Sequence, residues 1–259
     1  MKRISLFILN SIFILILTSI ACRPLKSNEE KGGTVKILSY NVRNCRGMDN
    51  IIDYKRIANV ITRVAPDVVA LQELDSATRR SNGVVALNEL ALFTDMYKTY
   101  SASIDYQGGK YGIGILTKEK PIQWEVVALP GREERRSLLI VELKKYVICC
   151  THFSLTEEDR IASVDIINNV LKKFSKPVFL AGDFNASPES PVIKSVENSW
   201  DILNNPEKPT IPSSNPQRCI DYIFAANFNG HNFETIQTIV EQEPVASDHL
   251  TVWAVVQFK

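Results

Sequence analysis

Strand-length apolar runs recur along most of the chain, and helical spacing interrupts them only a few times. That rhythm constrains the fold more than any other feature. Val35–Tyr40 alternates as a half-buried strand does, and Val68–Leu71, Gly112–Thr117, Leu138–Leu143, Tyr146–Cys150, Val178–Ala181, Cys219–Ala225 and Leu250–Phe258 are further strand candidates. Ile57, Val60, Ile61 and Val64 fall at i, i+3, i+4 and i+7, which predicts a helix over Asp53–Val64 ended by Pro66. A weaker helical pattern covers Val84–Phe93. Thr156 stands in a capping position before Glu157, Glu158 and Asp159, whose charges suit the positive end of a helix dipole. Ile161, Val164, Ile167 and Leu171 supply that helix's apolar face, and Ser190-Pro191 reads as the start of another helix. The mixture is neither a strict βαβ alternation nor all-β. It predicts one α+β domain, with two sheets packed together and helices outside.

The N-terminus has a different character. Lys2 and Arg3 precede a nearly unbroken apolar run from Ile4 to Ile20, and small residues then lead to Cys22. A basic start, an apolar stretch and a small-residue exit describe a secretory signal peptide over residues 1–21. Thr18-Ser19-Ile20-Ala21-Cys22 also resembles a bacterial lipoprotein processing site, with Ser19 where that pattern prefers Leu; the resemblance implies acylation at Cys22. Residues 22–33 then read as a linker to the lipid anchor, and residues 34–259 as the folded domain. A periplasmic or simply secreted protein, or an uncleaved anchor at the lower limit of about 17 apolar residues, are the alternatives. All place the domain outside the cytoplasm, and the lipoprotein reading makes the membrane a partner.

Charge narrows the partners. The chain has 30 basic and 29 acidic residues, and loss of Lys2 and Arg3 with the leader would leave it at −1. Such neutrality gives no footprint for tight non-specific DNA binding, although a nuclease that meets its substrate briefly is compatible with it. Cys45, Cys149, Cys150 and Cys219 show neither disulfide-scaffold spacing nor the Cys/His grouping of a zinc site, so buried free thiols are expected.

The chemistry lies where the apolar runs end. Asn41 follows Val35–Tyr40, Glu73 follows Val68–Leu71, and His152 follows Tyr146–Cys150. Asp183 and Asn185 follow Val178–Ala181, Asp221 lies inside Cys219–Ala225, and Asp248 and His249 open the last strand. Strand ends converge on one rim of a packed scaffold, which holds functional groups rigidly. The chain has only three histidines, and two fall here; His231, beside Asn229 and Gly230, reads as a solvated loop residue. Asn41, Glu73, Asp183, Asn185 and Asp248 are oxygen donors suited to a hard cation such as Mg²⁺ or Mn²⁺. Histidines beside carboxylates suit proton transfer and stabilisation of charge on phosphoryl oxygens. There is no G-x-S-x-G elbow and no P-loop.

Ser39-Tyr40-Asn41, Gln72-Glu73, Thr151-His152, Gly182-Asp183-Phe184-Asn185, Ile220-Asp221-Tyr222 and Ser247-Asp248-His249 together resemble the signature of the endonuclease/exonuclease/phosphatase superfamily. That group includes deoxyribonuclease I, abasic-site endonucleases, inositol polyphosphate 5-phosphatases and neutral sphingomyelinases. The resemblance implies a four-layer α/β/β/α sandwich of the deoxyribonuclease I type. It also implies metal-dependent hydrolysis of a phosphodiester, in nucleic acid or a phospholipid headgroup, by direct in-line attack of water. Carried over position by position, Asn41 and Glu73 hold the metal, with Asp248 contributing directly or through water. Asp183 and Asn185 orient or deprotonate the water, His249 is the catalytic histidine fixed by Asp221, and His152 donates to a non-bridging oxygen. Whether Asp183 or His249 is the general base stays open at this point.

Some positions depart from the pattern or stand outside it. Ile113 occupies a place where many members have Asn, which puts one polar contact near the phosphate in doubt. Arg79 and Arg80 either clamp a substrate phosphate or belong to a solvated loop, and Gly131–Arg136 reads as an exposed turn. A phosphomonoesterase of the inositol-phosphate type is the alternative activity; Arg79, Arg80 and Lys110 are its candidates for extra basic contacts. A non-catalytic lipoprotein that uses the fold as a binding surface is the third.

Overall fold

The structure, a computed structural model, describes residues 32–259. The expected signal peptide, Cys22 and nearly all of the expected linker lie outside the described residues. Along the chain come β1 (Gly33–Asn41), α1 (Tyr54–Val64), β2 (Val68–Ser76), α2 (Ala86–Thr94), β3 (Tyr97–Tyr106), β4 (Gly109–Thr117), β5 (Gln123–Leu129) and β6 (Arg136–Glu142). They are followed by β7 (Val147–His152), α3 (Glu157–Leu171), β8 (Val178–Asp183), α4 (Pro191–Glu197), β9 (Trp200–Ile202), β10 (Asp221–Ala226), β11 (Phe233–Val240) and β12 (Val252–Phe258). The strands form two six-stranded sheets, ordered β11-β12-β1-β2-β4-β3 and β5-β6-β7-β8-β10-β9. Both are mixed: β1 runs parallel to β2 and β7 parallel to β8, and the other pairs are antiparallel.

Alternation along the strands builds the layers. Val35 and Ile37 on β1, Val68 and Ala70 on β2, Ile148 and Cys150 on β7, and Phe179 and Ala181 on β8 meet in one core between the sheets. The intervening Leu38, Tyr40, Val69 and Leu71 face outward and pack under α1 and α2. Leu138, Ile140, Val178 and Leu180 do the same under α3 and α4. Helix, sheet, sheet, helix: the four-layer arrangement is the predicted deoxyribonuclease I-like fold.

Local signals act as their chemistry dictates, with some adjustments. Asp53 caps α1 by accepting from Arg56 N, and Ser190 caps α4 by accepting from Ile193 N. Thr156 occupies the cap position of α3 without a side-chain cap bond, because its hydroxyl turns to Glu133 Oε2 at 3.4 Å. The Gly131–Arg136 segment is more than an exposed turn: Arg136 is buried and begins β6. All four cysteines of the described residues are buried and free, as expected.

Gly182 shows how the core shapes the site. A Cβ there would lie 2.1 Å from Thr151 O on β7. Any side chain would wedge β8 away from β7 just where His152 pairs with Asp183. Gly182→Ala is expected to cost about 1–3 kcal/mol of stability through overpacking, measured by urea denaturation. Activity should fall with it, because the same wedge separates the two functional side chains.

Candidate active site

The inter-sheet face leads directly into the site. On β1 it continues from Val35 and Ile37 through Ser39 to Asn41; on β7 it ends in His152, and on β8 in Asp183. β10 runs the other way, so Asp221 starts the face that Ile223 and Ala225 continue. His152 pairs with Asp183, and Asp183 with Asp221, so three functional residues form one row across adjacent strands. The site is the last layer of the inter-sheet core, where apolar side chains give way to polar ones.

Glu73 reaches this layer by another route. The β2–β4 register shifts between Leu71 and Leu74, and Glu73 sits in the bulge with φ at 61°. A bulge re-aims a side chain that strict alternation would send to the opposite face. A left-handed conformation in a non-glycine residue is strained, and such strain concentrates at functional sites. Asn185 is a second case, with φ at 47°: its backbone N–H donates to Asp183 Oδ1 (2.9 Å) and its Nδ2 donates to Phe153 O (2.9 Å). It therefore fixes the Asp183 carboxylate and ties the β7 and β8 exit loops together.

Asp183 Oδ2 is the hub. Asn41 Nδ2 lies 3.1 Å from it, His152 Nε2 3.5 Å and His249 Nε2 3.7 Å. The same Asn41 Nδ2 donates to Glu73 Oε1 at 3.0 Å. Behind His249, Nδ1 meets Asp221 Oδ2 at 2.9 Å, and that oxygen also accepts from Thr210 Oγ1 at 2.5 Å. Ser247 Oγ donates to Asn41 O (2.7 Å), which holds the Ser247-Asp248-His249 loop against the end of β1. Asp248 is the most open member; its Oδ2 lies 3.7 Å from Arg43 Nε.

The two histidines are driven apart electrically. Burial opposes charge on His249, but the charge and hydrogen bond of Asp221, with Asp183 and Asp248, overcome it and raise its pKa to about 10. Burial dominates at His152 and lowers its pKa to about 4; Asp183 resists the shift, and the Arg136 and His249 charges add to it. At neutral pH the site thus holds one imidazolium and one neutral imidazole, and divergent pKa values of this kind separate roles in catalysis.

Glu73 is half-buried, and desolvation raises its pKa against the effect of its Asn41 hydrogen bond, while the Asp248 and Asp183 charges raise it further. Two carboxylates, Glu73 and Asp183, share a single amide donor, and among the described residues no lysine or arginine pairs with either. His249 is the one positive group nearby, and this carboxylate- and amide-lined corner fits a divalent cation. One ligand atom each from Asp183, Asp221 and His249 also lies within 4.8 Å of the others. Asp221 Oδ2 is committed to His249 and Thr210, while its buried Oδ1 has no hydrogen-bond partner; Asp183 is shared between this group and the Asn41–Glu73–Asp183 corner.

Outside this cluster, the Arg80 fork is occupied: Nε and Nη2 grip Asp75 at 2.6 and 2.8 Å, and the guanidinium stacks on Tyr106 at 4.5 Å. That arrangement positions the loop rather than a substrate. Arg79 is exposed on the same loop. His231 is tied to backbone carbonyls of Ser175 and Lys259. Thr210 and Arg136 were not marked by the sequence, since a threonine in a loop and an arginine in a charge run carry no periodicity.

A family model described as the endonuclease/exonuclease/phosphatase family matches residues 38–249. The chain belongs to that family. Its span takes in every member of the cluster from Asn41 to His249. No curated protein sequence matches the chain. Among solved structures, it is similar to an endonuclease/exonuclease/phosphatase from Beutenbergia cavernae, at 24% identity and a TM-score of 0.73, covering 86% of this chain and 71% of that one. It is also similar to the human nocturnin catalytic domain with bound sulfate (17% identity, TM-score 0.67, 87% and 95% covered). A third is TDP2 from D. rerio complexed with single-strand DNA product (18% identity, TM-score 0.66, 86% and 98% covered). At these identities the likeness is one of fold.

Proposed function

We propose that this endonuclease/exonuclease/phosphatase family member is a Mg²⁺-dependent phosphodiesterase that cuts its substrate by direct attack of water. The observation that carries the reading is the convergence of Asn41, His152 and His249 on Asp183 Oδ2. The sulfate on nocturnin and the DNA product on TDP2 support an anionic phosphate ester as ligand of this fold. In the reaction, an oxygen–phosphorus bond forms from water and the bond to the leaving oxygen breaks, with inversion at phosphorus. Asp183 takes the water's proton; His249, already charged, cannot. That charge division favours Asp183 over His249 as the base. His249 and the neutral N–H of His152 stabilise charge growing on the phosphoryl oxygens. Asn41 and Glu73 would hold the cation, with Asp248 nearby, and the ion supplies further charge stabilisation. Mn²⁺ suits the same oxygen donors.

Two experiments test this. With Mg²⁺, bis-p-nitrophenyl phosphate should be hydrolysed and EDTA should abolish turnover; release of inorganic phosphate alone from inositol polyphosphates would favour the monoesterase instead. Independently of turnover, Mg²⁺ at a hundred times its Kd should stabilise the protein by about 2.7 kcal/mol, a rise of several degrees in Tm. Glu73→Gln should remove that rise. In EDTA it should also melt higher than the wild type, because a carboxylate whose folded pKa is raised costs stability at neutral pH. A full Mg²⁺ response in Glu73→Gln would displace the ion from this corner. For location, the reading places the domain in the cell envelope by acylation at Cys22; mass spectrometry of the mature N-terminus decides it.

A further inference from the structure

A cavity of about 430 Å³ opens between the edge strands β3 and β5 and the start of β6. Lys110, Arg135 and Arg136 line it with Ser103, Ser137 and one acid, Asp105. It adjoins the active site. Ser137 precedes Leu138, the partner of Thr151 on β7, and Ser137 O accepts from Thr151 Oγ1 at 3.2 Å. Arg136 lies close enough to His152 for its charge to oppose protonation of that ring.

Three basic groups stand against three acids, Asp105, Glu133 and Glu134, but the pairing is uneven. Lys110 pairs with Asp105. Arg136 Nη1 and Nη2 face Glu134 Oε1 (3.1 Å) and Glu133 Oε1 (3.5 Å). Arg135 is exposed and makes no ion pair among the described residues. Arg136, only 7% exposed, leaves its buried Nε–H without any acceptor. A buried N–H left unpaired is costly and calls for a missing acceptor. The Ser103 and Ser137 hydroxyls, 3.2 Å apart, add donors of adjustable direction.

We propose that this cavity is a second anion subsite, which takes a phosphate group of the substrate other than the one being cut. The inference rests on the phosphodiesterase reading of the neighbouring site. It makes the enzyme selective for substrates that carry a second phosphate beside the scissile diester.

Matched substrate pairs test it: thymidylyl-thymidine with and without a 5′-phosphate, and glycerophosphoinositol with and without a 4-phosphate. The wild type should favour the phosphorylated member of one pair by about tenfold in kcat/KM, the scale of one charge-assisted contact, and that pair identifies the source of the phosphate. Lys110→Ala with Arg135→Ala, both exposed positions, should erase the preference and leave bis-p-nitrophenyl phosphate hydrolysis unchanged. No preference in either pair, or a preference that survives the double variant, overturns the subsite. Should the wild type cut no diester at all, the main-site reading fails separately. Tungstate soaked into crystals then decides the cavity by itself: a peak against Ser137 and Arg136 that Arg135→Ala removes supports it, and an empty cavity refutes it.

Discussion

Asp183→Asn should lose about a thousandfold or more in kcat, within the range for removing a general base, while the protein stays folded. The geometry makes this the most sensitive single change. Asp183 Oδ2 is the one atom that Asn41, His152 and His249 all approach, and asparagine keeps the shape while removing the basicity. The Asn185 N–H still finds an oxygen in place of Asp183 Oδ1. Stability should fall modestly: the repulsion between Glu73 and Asp183 is relieved, but the new Nδ2 faces the Asn41 amide and His249 where Oδ2 accepted. Thermal melting in EDTA alongside steady-state kinetics separates the effects. A mutant with more than a tenth of the wild-type rate would show that Asp183 is not the base; an inactive mutant melting far below the wild type would mean that the carboxylate holds the fold.

The strands that sequence patterning found and the ones it missed divide on physical grounds. The missed strands are β3, β5, β9 and β11, and these are the four edges of the two sheets. An interior strand is covered on both sides and must be apolar nearly throughout, as Val147–His152 and Val178–Asp183 are. An edge strand escapes that demand. Five of the eight residues of β11 are exposed, and a register shift between Thr235 and Gln237 breaks its alternation; β3 has its own shift between Ala102 and Ile104. Bulged, polar edges also discourage pairing with another chain, so the weak signal has a purpose.

The site divides in the same way. Asn41, His152, Asp183 and Asp221 were legible because they stand in step with the apolar face they terminate. Glu73 was legible by position, but its orientation comes from a bulge and a left-handed backbone that no periodicity announces. Arg136 was read as solvated because it ends a run of charges, whereas Glu133 and Glu134 fold back on it and bury it. Glu133 in turn accepts from Leu155 N and Ser154 Oγ, which fastens the segment after His152.

Asp221→Asn should depress kcat by about a hundredfold at pH 8, the scale of losing one preorganised charge at the reacting centre, and should do so with a change in the pH profile. His249 titrates at about 10 because Asp221 accepts its Nδ1 hydrogen bond and supplies the nearest negative charge. The sign follows: the imidazolium persists as pH rises until the folded pKa is passed, so wild-type activity should hold through neutral pH and fail only on the strongly alkaline side. Without the Asp221 charge, burial is less opposed, and the ring loses its proton nearer the ordinary histidine range of about 6.5. The alkaline limb of kcat should therefore move down by more than one pH unit. A bound divalent cation would repel the imidazolium and lower the limb in both proteins, so the difference between them carries the test. Thr210 still has an oxygen acceptor at position 221 in the variant, which limits structural loss. An unshifted limb with reduced kcat would mean that Asp221 only orients the ring, and His249 would then be neutral during turnover and able to compete with Asp183 for the water's proton.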